Sequence, residues 1–209
     1  KMKTKASRST NQQNKTTVGF AIQEVWSLAW PTIITMTSFT VMQFIDKLMV
    51  SQVGPTEIAA QGNAGTWSFA IIATIMGVVT VVNTFVSQHL GAGHPKNGPK
   101  YPWAAGWIAA ISWCIIIVPF IFIVPYIFQF IHSSPEDARL VALEIQYATY
   151  TLIGSLFLLI GRGFSQFFFG MHMPKVVTVS TIIANTVNVL ANYILIFGEE
   201  GIPGLLHGI

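Results

Sequence analysis

The feature that most constrains this chain is where its charges are missing. Ile58 to Pro95, Tyr101 to Pro135 and Val176 to Phe197 contain no Asp, Glu, Lys or Arg. Each run exceeds the roughly 20 residues a helix needs to cross the hydrocarbon core of a bilayer. Water is absent from that core, so every backbone N–H and C=O must be satisfied internally, and a helix does this within one segment. A membrane barrel would show short alternating segments instead. Apolar residues make up 52% of the 209 residues and charged ones 9%, against about 25% charged in an ordinary soluble domain. An integral membrane protein is expected, with the lipid bilayer as its surroundings.

The fold class is read as all-α, a polytopic transmembrane bundle. Five spans are expected, at Ser27 to Val50, Ile58 to Gln88, Trp103 to Ile131, Leu140 to Gly170 and Val176 to Phe197. Residues 1–20 read as a solvated basic tail, too polar and followed by too long an apolar run for a signal peptide. Residues 21–209 read as one incomplete transmembrane lobe, in which Gly77, Gly154, Gly161 and Gly163 are candidates for close helix contacts. The odd number of spans, Lys1 before Met2 and the abrupt end at Ile209 suggest a fragment.

Lysine and arginine set the expected orientation. Lys1, Lys3, Lys5, Arg8 and Lys15 precede span one, Lys96 and Lys100 follow span two, and Lys175 follows span four. The positive-inside rule then places the amino terminus in the cytoplasm and Glu199 outside, with a plasma (inner) membrane location. Trp26, Trp30, Trp103 and Trp107 fall where an inner aromatic belt would lie.

Asp46 interrupts the apolar pattern of span one. A charge inside a bilayer costs about 2.5 to 3.5 kcal/mol on insertion scales unless it faces a bundle interior or cavity and finds a partner. Span five supplies one. Asn185, Asn188 and Asn192 recur at helical spacing, within about 60° of arc, and Thr178 and Thr181 extend the same face. Such a stripe reads in two ways. It is either adhesive between helices, at about 0.6 to 2 kcal/mol per contact, or a site. Three asparagines beside an acid favour the site: a hard monovalent cation wants several oxygen ligands, which Asp46 and the amide carbonyls of Asn188 and Asn192 would offer. A proton could occupy it too, because burial, amide donors and nearby charge all tune a carboxyl group. Gln43, one turn before Asp46, is a further cavity candidate with Asn185 and Thr181.

These residues also carry a resemblance. Pro31 and Asp46 in span one, Val53-Gly54-Pro55-Thr56-Glu57-Ile58-Ala59-Ala60 after it, Val86-Ser87-Gln88-His89-Leu90-Gly91-Ala92-Gly93 after span two, and Asn188 to Asn192 leading into Tyr193-Ile194-Leu195-Ile196-Phe197-Gly198 resemble the amino-terminal lobe of a multidrug and toxic compound extrusion (MATE) transporter. Gly201-Ile202-Pro203-Gly204 fits that family's outer loop. The resemblance implies an Na+- or H+-coupled antiporter that exports lipophilic, often cationic drugs and is built from two six-helix lobes. It further implies that Asp46, Asn188 and Asn192 form the cation site and that Pro31 is the hinge of span one. Its partners would be a drug-like small molecule and the missing carboxy-terminal lobe. Some members have an aspartate at the Asn192 position, so the coupling ion stays open between sodium and a proton.

No enzyme, cofactor, nucleic-acid partner or metal is expected, apart from sodium at Asp46. The histidines are scattered, Cys114 sits among apolar neighbours, and Gly161-Arg162-Gly163 lacks the strand and helix context of a phosphate loop. Arg162 in span four reads as partnered by a carbonyl or reaching the inner surface. Two other functions were weighed. A lipid-linked oligosaccharide flippase of the same superfamily would be expected to present several arginines, and Arg162 is the only one in a span. A non-transporting assembly subunit would use the asparagine stripe as adhesive.

Overall fold

The computed structural model describes residues 2–94, 98–132 and 134–201. Its elements are helices: α1 (Met2–Val53), α2 (Pro55–Gly91), α3 (Lys100–Ser112), a π-helical turn (Trp113–Ile117), α4 (Val118–Ile131), a 3-10 turn (Pro135–Asp137), α5 (Ala138–Gly170) and α6 (Pro174–Gly201). Five helical stretches are long and apolar enough to cross a membrane: Val25–Val53, Pro55–Gly91, Lys100–Ile131, Ala138–Gly170 and Pro174–Ile196. They match the five expected spans to within a few residues. The protein is an integral membrane protein by these spans. Residues 2–20, expected only as a solvated tail, continue the helix of span one; lysine, glutamine and arginine are good helix formers once a nucleus exists.

Punctuation in the sequence explains the element ends. Gly54 alone links α1 to α2, and Pro55 opens α2, where its missing N–H costs nothing. The third span is one continuous rod with a π turn ahead of Pro119, whose ring excludes the usual bond to the carbonyl four residues back. Between α5 and α6, His172 takes a left-handed backbone with φ 56°, and Pro174 starts the last helix.

Two parallel helix pairs organise the bundle. Asn63 meets Glu144 and Ser87 meets Gly170, contacts separated by 81 and 83 residues. A near-constant separation means that α2 and α5 run in the same direction. Their seam is mostly apolar and small. Ala64, Ile75, Val79 and Val86 of α2 are buried with Ala148, Leu152, Leu159 and Gly170 of α5, at spacings of four, seven and eleven residues that keep both stripes facing each other. The third span lies against this pair, where the Trp113 indole donates to the Leu152 carbonyl at 3.0 Å. The second pair is α1 with α6, joined by contacts 146 and 147 residues apart and therefore also parallel. This pair packs chiefly on itself and leaves Trp26, Phe44, Val187 and Leu190 exposed.

Lipid is as apolar as leucine, so helices in a bilayer associate through close packing and hydrogen bonds. Gly163 shows the close packing expected of it: a Cβ there would lie 3.1 Å from Ala105 Cβ. Gly77, Gly154 and Gly161 do not, for an added Cβ would meet nothing within 4 Å. They lie off the seams. The tightest approach is at Gly170, where a Cβ would come within 2.8 Å of both the Asn83 carbonyl oxygen and Val86 Cβ. Gly170→Ala should therefore push α5 off α2 and destabilise the bundle by about 1 to 3 kcal/mol, the usual cost of overpacking. Unfolding of the purified chain in mixed micelles checks this, with Gly161→Ala expected to be near neutral.

Candidate cation site on the α1–α6 seam

The seam between α1 and α6 is polar along its length. At one end Pro31 is buried inside the continuous helix α1, and its carbonyl accepts from the Thr178 hydroxyl at 2.9 Å. Thr35, also buried, places its hydroxyl 2.9 Å from both the Pro31 carbonyl and Thr178 Oγ1. A hydroxyl has one proton to give. The consistent chain runs from Thr35 to Thr178 and from Thr178 to Pro31. Seven residues further along each helix, Asn185 Nδ2 donates to Ser38 Oγ at 2.9 Å. Another seven along α6, Asn192 Nδ2 donates to Asp46 Oδ1 at 2.9 Å.

This repeat is a coiled-coil seam with polar groups in the facing positions. Thr178, Asn185 and Asn192 recur every seven residues, and Thr35, Ser38 and Asp46 answer them from α1, so parallel helices winding round each other keep the sets in register. The stripe expected on span five thus faces span one. Thr178 is buried, Thr181, Asn185 and Asn192 are half-buried, and Asn188 is exposed.

Around Asp46 the geometry is specific. The carboxylate is half-buried, Gln43 is exposed, and Asn192 Nδ2 lies 2.9 Å from Asp46 Oδ1 and 3.2 Å from Asn188 Oδ1. One amide group therefore bridges the acid and the second asparagine. Asp46 forms no ion pair among the described residues, and neither does its neighbour Lys47. The orientation of Asn192 differs from the oxygen cage read from the sequence. Its nitrogen, a donor, faces the acid, because a bare carboxylate next to an amide is best answered by N–H. Turning the amide over would present Oδ1 to the same point.

Thr35 and Ser38 escaped the sequence reading. Their signal was present: Thr35 and Ser38 are one turn apart and Ser38 lies eight residues before Asp46, on the same side of span one, but single hydroxyls in a membrane helix commonly bond back to their own carbonyls, as Thr40 and Thr66 do here. A second acid, Glu144, was also passed over, and it is fully buried in α5. Arg162 is half-buried, and its Nε has no hydrogen-bond partner.

Known proteins bear on this arrangement. The family model described as MatE matches residues 31–194, from Pro31 to just past Asn192, and so contains the whole seam. The chain is 22% identical over 197 residues to a probable multidrug resistance protein NorM of Chromobacterium violaceum, covering 92% of this chain and 41% of that protein. It is 26% identical over 179 residues to the multidrug resistance protein NorM of Burkholderia vietnamiensis, covering 85% and 38%. This chain thus spans well under half the length of these relatives. Among solved structures, it superposes on a MOP superfamily transporter from Pyrococcus furiosus with a TM-score of 0.76 at 19% identity, covering 84% of this chain and 38% of the other. An outward-facing multidrug resistance MATE family transporter gives 0.66 at 21%, with the same coverage. At these identities the structural likeness establishes the fold. The family follows from the match that runs from Pro31 through the seam to Ile194: this chain belongs to the MatE family.

Proposed function

We propose that this chain is an amino-terminal lobe of a cation-coupled antiporter that exports lipophilic, often cationic drugs, with Asp46, Asn188 and Asn192 as its cation site. The observation that carries this reading is the 2.9 Å bond from Asn192 to Asp46 across two parallel helices. In this role the protein lies in the plasma membrane with its amino terminus in the cytoplasm, and a second lobe completes the drug cavity. The multidrug resistance names of its relatives support drug export.

The amide of Asn192 gives the site a switch. Asn192 Nδ2 satisfies the carboxylate and the neighbouring Asn188. Sodium requires oxygen ligands, and a protonated Asp46 requires an acceptor for its O–H. Either ion therefore favours the amide turned over, which gives up both bonds that Asn192 now makes. The bond to Asp46 ties α6 to α1, so loading the site alters the seam. Coupling needs only that one arrangement bind the ion better than the other, since equal affinity would shift nothing. Pro31 supplies a place for α1 to bend, because proline removes one helix hydrogen bond.

The adhesive reading is favoured by one observation: Thr178 and Asn185 are already engaged by α1. It predicts no response to ions. Asp46→Asn, with the lobe joined to its partner lobe, should reduce drug efflux driven by a cation gradient to the level of cells lacking the transporter, while membrane abundance stays unchanged. Efflux at the original rate would remove Asp46 from the mechanism. Asn192→Asp adds a second carboxylate beside the first and should lower the sodium concentration or raise the pH at which half-maximal efflux is reached, read from transport measured across a sodium and a pH series.

A further inference from the structure

A second acid lies apart from the α1–α6 seam, near the end of the bundle where α4 passes into α5. Glu144 has 0% exposure. Its Oε1 accepts from Asn63 Nδ2 of α2 at 2.8 Å and stands 3.3 Å from His132 Nε2. Its Oε2 is buried with no hydrogen-bond partner. On the other side of the same imidazole, His132 Nδ1 is 3.9 Å from Asp137 Oδ2. His132 caps α4 and is 22% exposed at its side chain, whereas Asp137, in the 3-10 turn, is 40% exposed. One imidazole thus stands between an acid sealed in the bundle and an acid at its surface.

The other charged and titratable groups here are accounted for. From α2, Glu57 pairs with Arg139 of α5, so that guanidinium is engaged elsewhere. Glu136 of the 3-10 turn is exposed, and the Tyr147 ring of α5 faces Gly65 of α2. A sealed carboxylate with an orphan oxygen is costly unless positive charge or a proton is at hand. Imidazole is the side chain whose ordinary titration falls between about pH 5 and 8.

We propose that His132, clasped between Glu144 and Asp137, is a proton-binding site of this lobe, separate from Asp46. In the unloaded form the neutral ring carries its proton on Nε2, directed at Glu144 Oε1. The incoming proton, delivered by hydronium, adds to the Nδ1 lone pair. A single N–H bond forms, water is released, and the imidazolium then donates to both carboxylates. Asp137 is drawn in from 3.9 Å to hydrogen-bond distance, which ties the 3-10 turn Pro135–Asp137 to the end of α4. The turn is therefore held more firmly once the proton is bound. Because Asp137 and His132 reach solvent, protons arrive without passing the α1–α6 seam.

The test is nitrogen-15 histidine spectroscopy of the whole chain in lipid nanodiscs, with His132→Gln identifying the signal. Before loading, the ring should be protonated at Nε2 and bare at Nδ1, and on acidification Nδ1 should gain a proton while Nε2 keeps its own. Amide exchange at Glu136 and Asp137, corrected for its intrinsic pH dependence, should slow as Nδ1 is loaded. Glu144→Gln should abolish the preference for the Nε2 proton, and Asp46→Asn should change none of these signals. Asp137→Asn, on the exposed turn and harmless to packing, should keep the Nε2 proton at high pH and lose the slowing of exchange. An Nδ1 that stays bare on acidification, loading of Nδ1 with no change in exchange at Glu136 and Asp137, or a signal that follows Asp46→Asn would overturn the proposal.

Discussion

A carboxylate on a lipid-length helix has to be answered by polar groups from another helix, and the contact between Asp46 and Asn192 meets that requirement. Its consequences reach through the α1–α6 pair. Because the acid sits on α1 and its partner on α6, the two helices are held in one register. Asn185 to Ser38 and Thr178 to Pro31 repeat the same offset at lower positions. A slip of one turn that set Ile196, Val189 and Ile182 opposite Asp46, Ser38 and Pro31 would leave the acid bare, at a cost of several kcal/mol in a medium that offers no water. The register of the pair is thus set by hydrogen bonds.

The second pair is built on a different principle. Along α2 and α5 the contact is mostly alanine, valine, isoleucine, leucine and glycine, crossed by the Asn63–Glu144 and Ser87–Gly170 hydrogen bonds, and its closest point is Gly170 against Val86 and the Asn83 carbonyl. Packing of that kind is stiff, because interiors at crystal-like density have no second arrangement within easy reach. Hydroxyls and amides differ, since each can exchange one partner for another of similar strength. Thr178 already has the Pro31 and Pro174 carbonyls and Thr35 within reach. A lobe made of one stiff pair and one exchangeable pair suits the proposed transport role. The exchangeable contacts are the ones that hold Asp46, the acid of the proposed ion site.

Much of this was legible in the sequence. Spans follow from where charge is absent, and the stripe at Asn185, Asn188 and Asn192 follows from helical spacing alone. The family was readable from ordered short motifs. What the sequence could not supply was which face meets which neighbour. Gly77, Gly154 and Gly161 look like contact glycines yet face open space, whereas Gly170 is the one against which α2 closes; small size permits close approach but does not say what approaches. The inward nitrogen of Asn192 was also illegible, because an amide offers a donor and an acceptor at one position and only its neighbours choose between them. Glu144 and His132 were hidden for a related reason. They lie twelve residues apart across a helix end, so no helical periodicity links them.

The two acids of this lobe are treated differently by the fold, and the contrast bears on what each can do. Asp46 is half-buried and bonded by an amide that can turn over, so its surroundings can rearrange around an ion. Glu144 is sealed, held by Asn63 and faced by an imidazole, with one oxygen left bare. A sodium ion would need that oxygen plus several more ligands. A proton needs only one lone pair. The half-buried acid, held by an exchangeable amide, suits the proposed ion that must come and go; the sealed one suits a charge that alters how firmly the 3-10 turn is held.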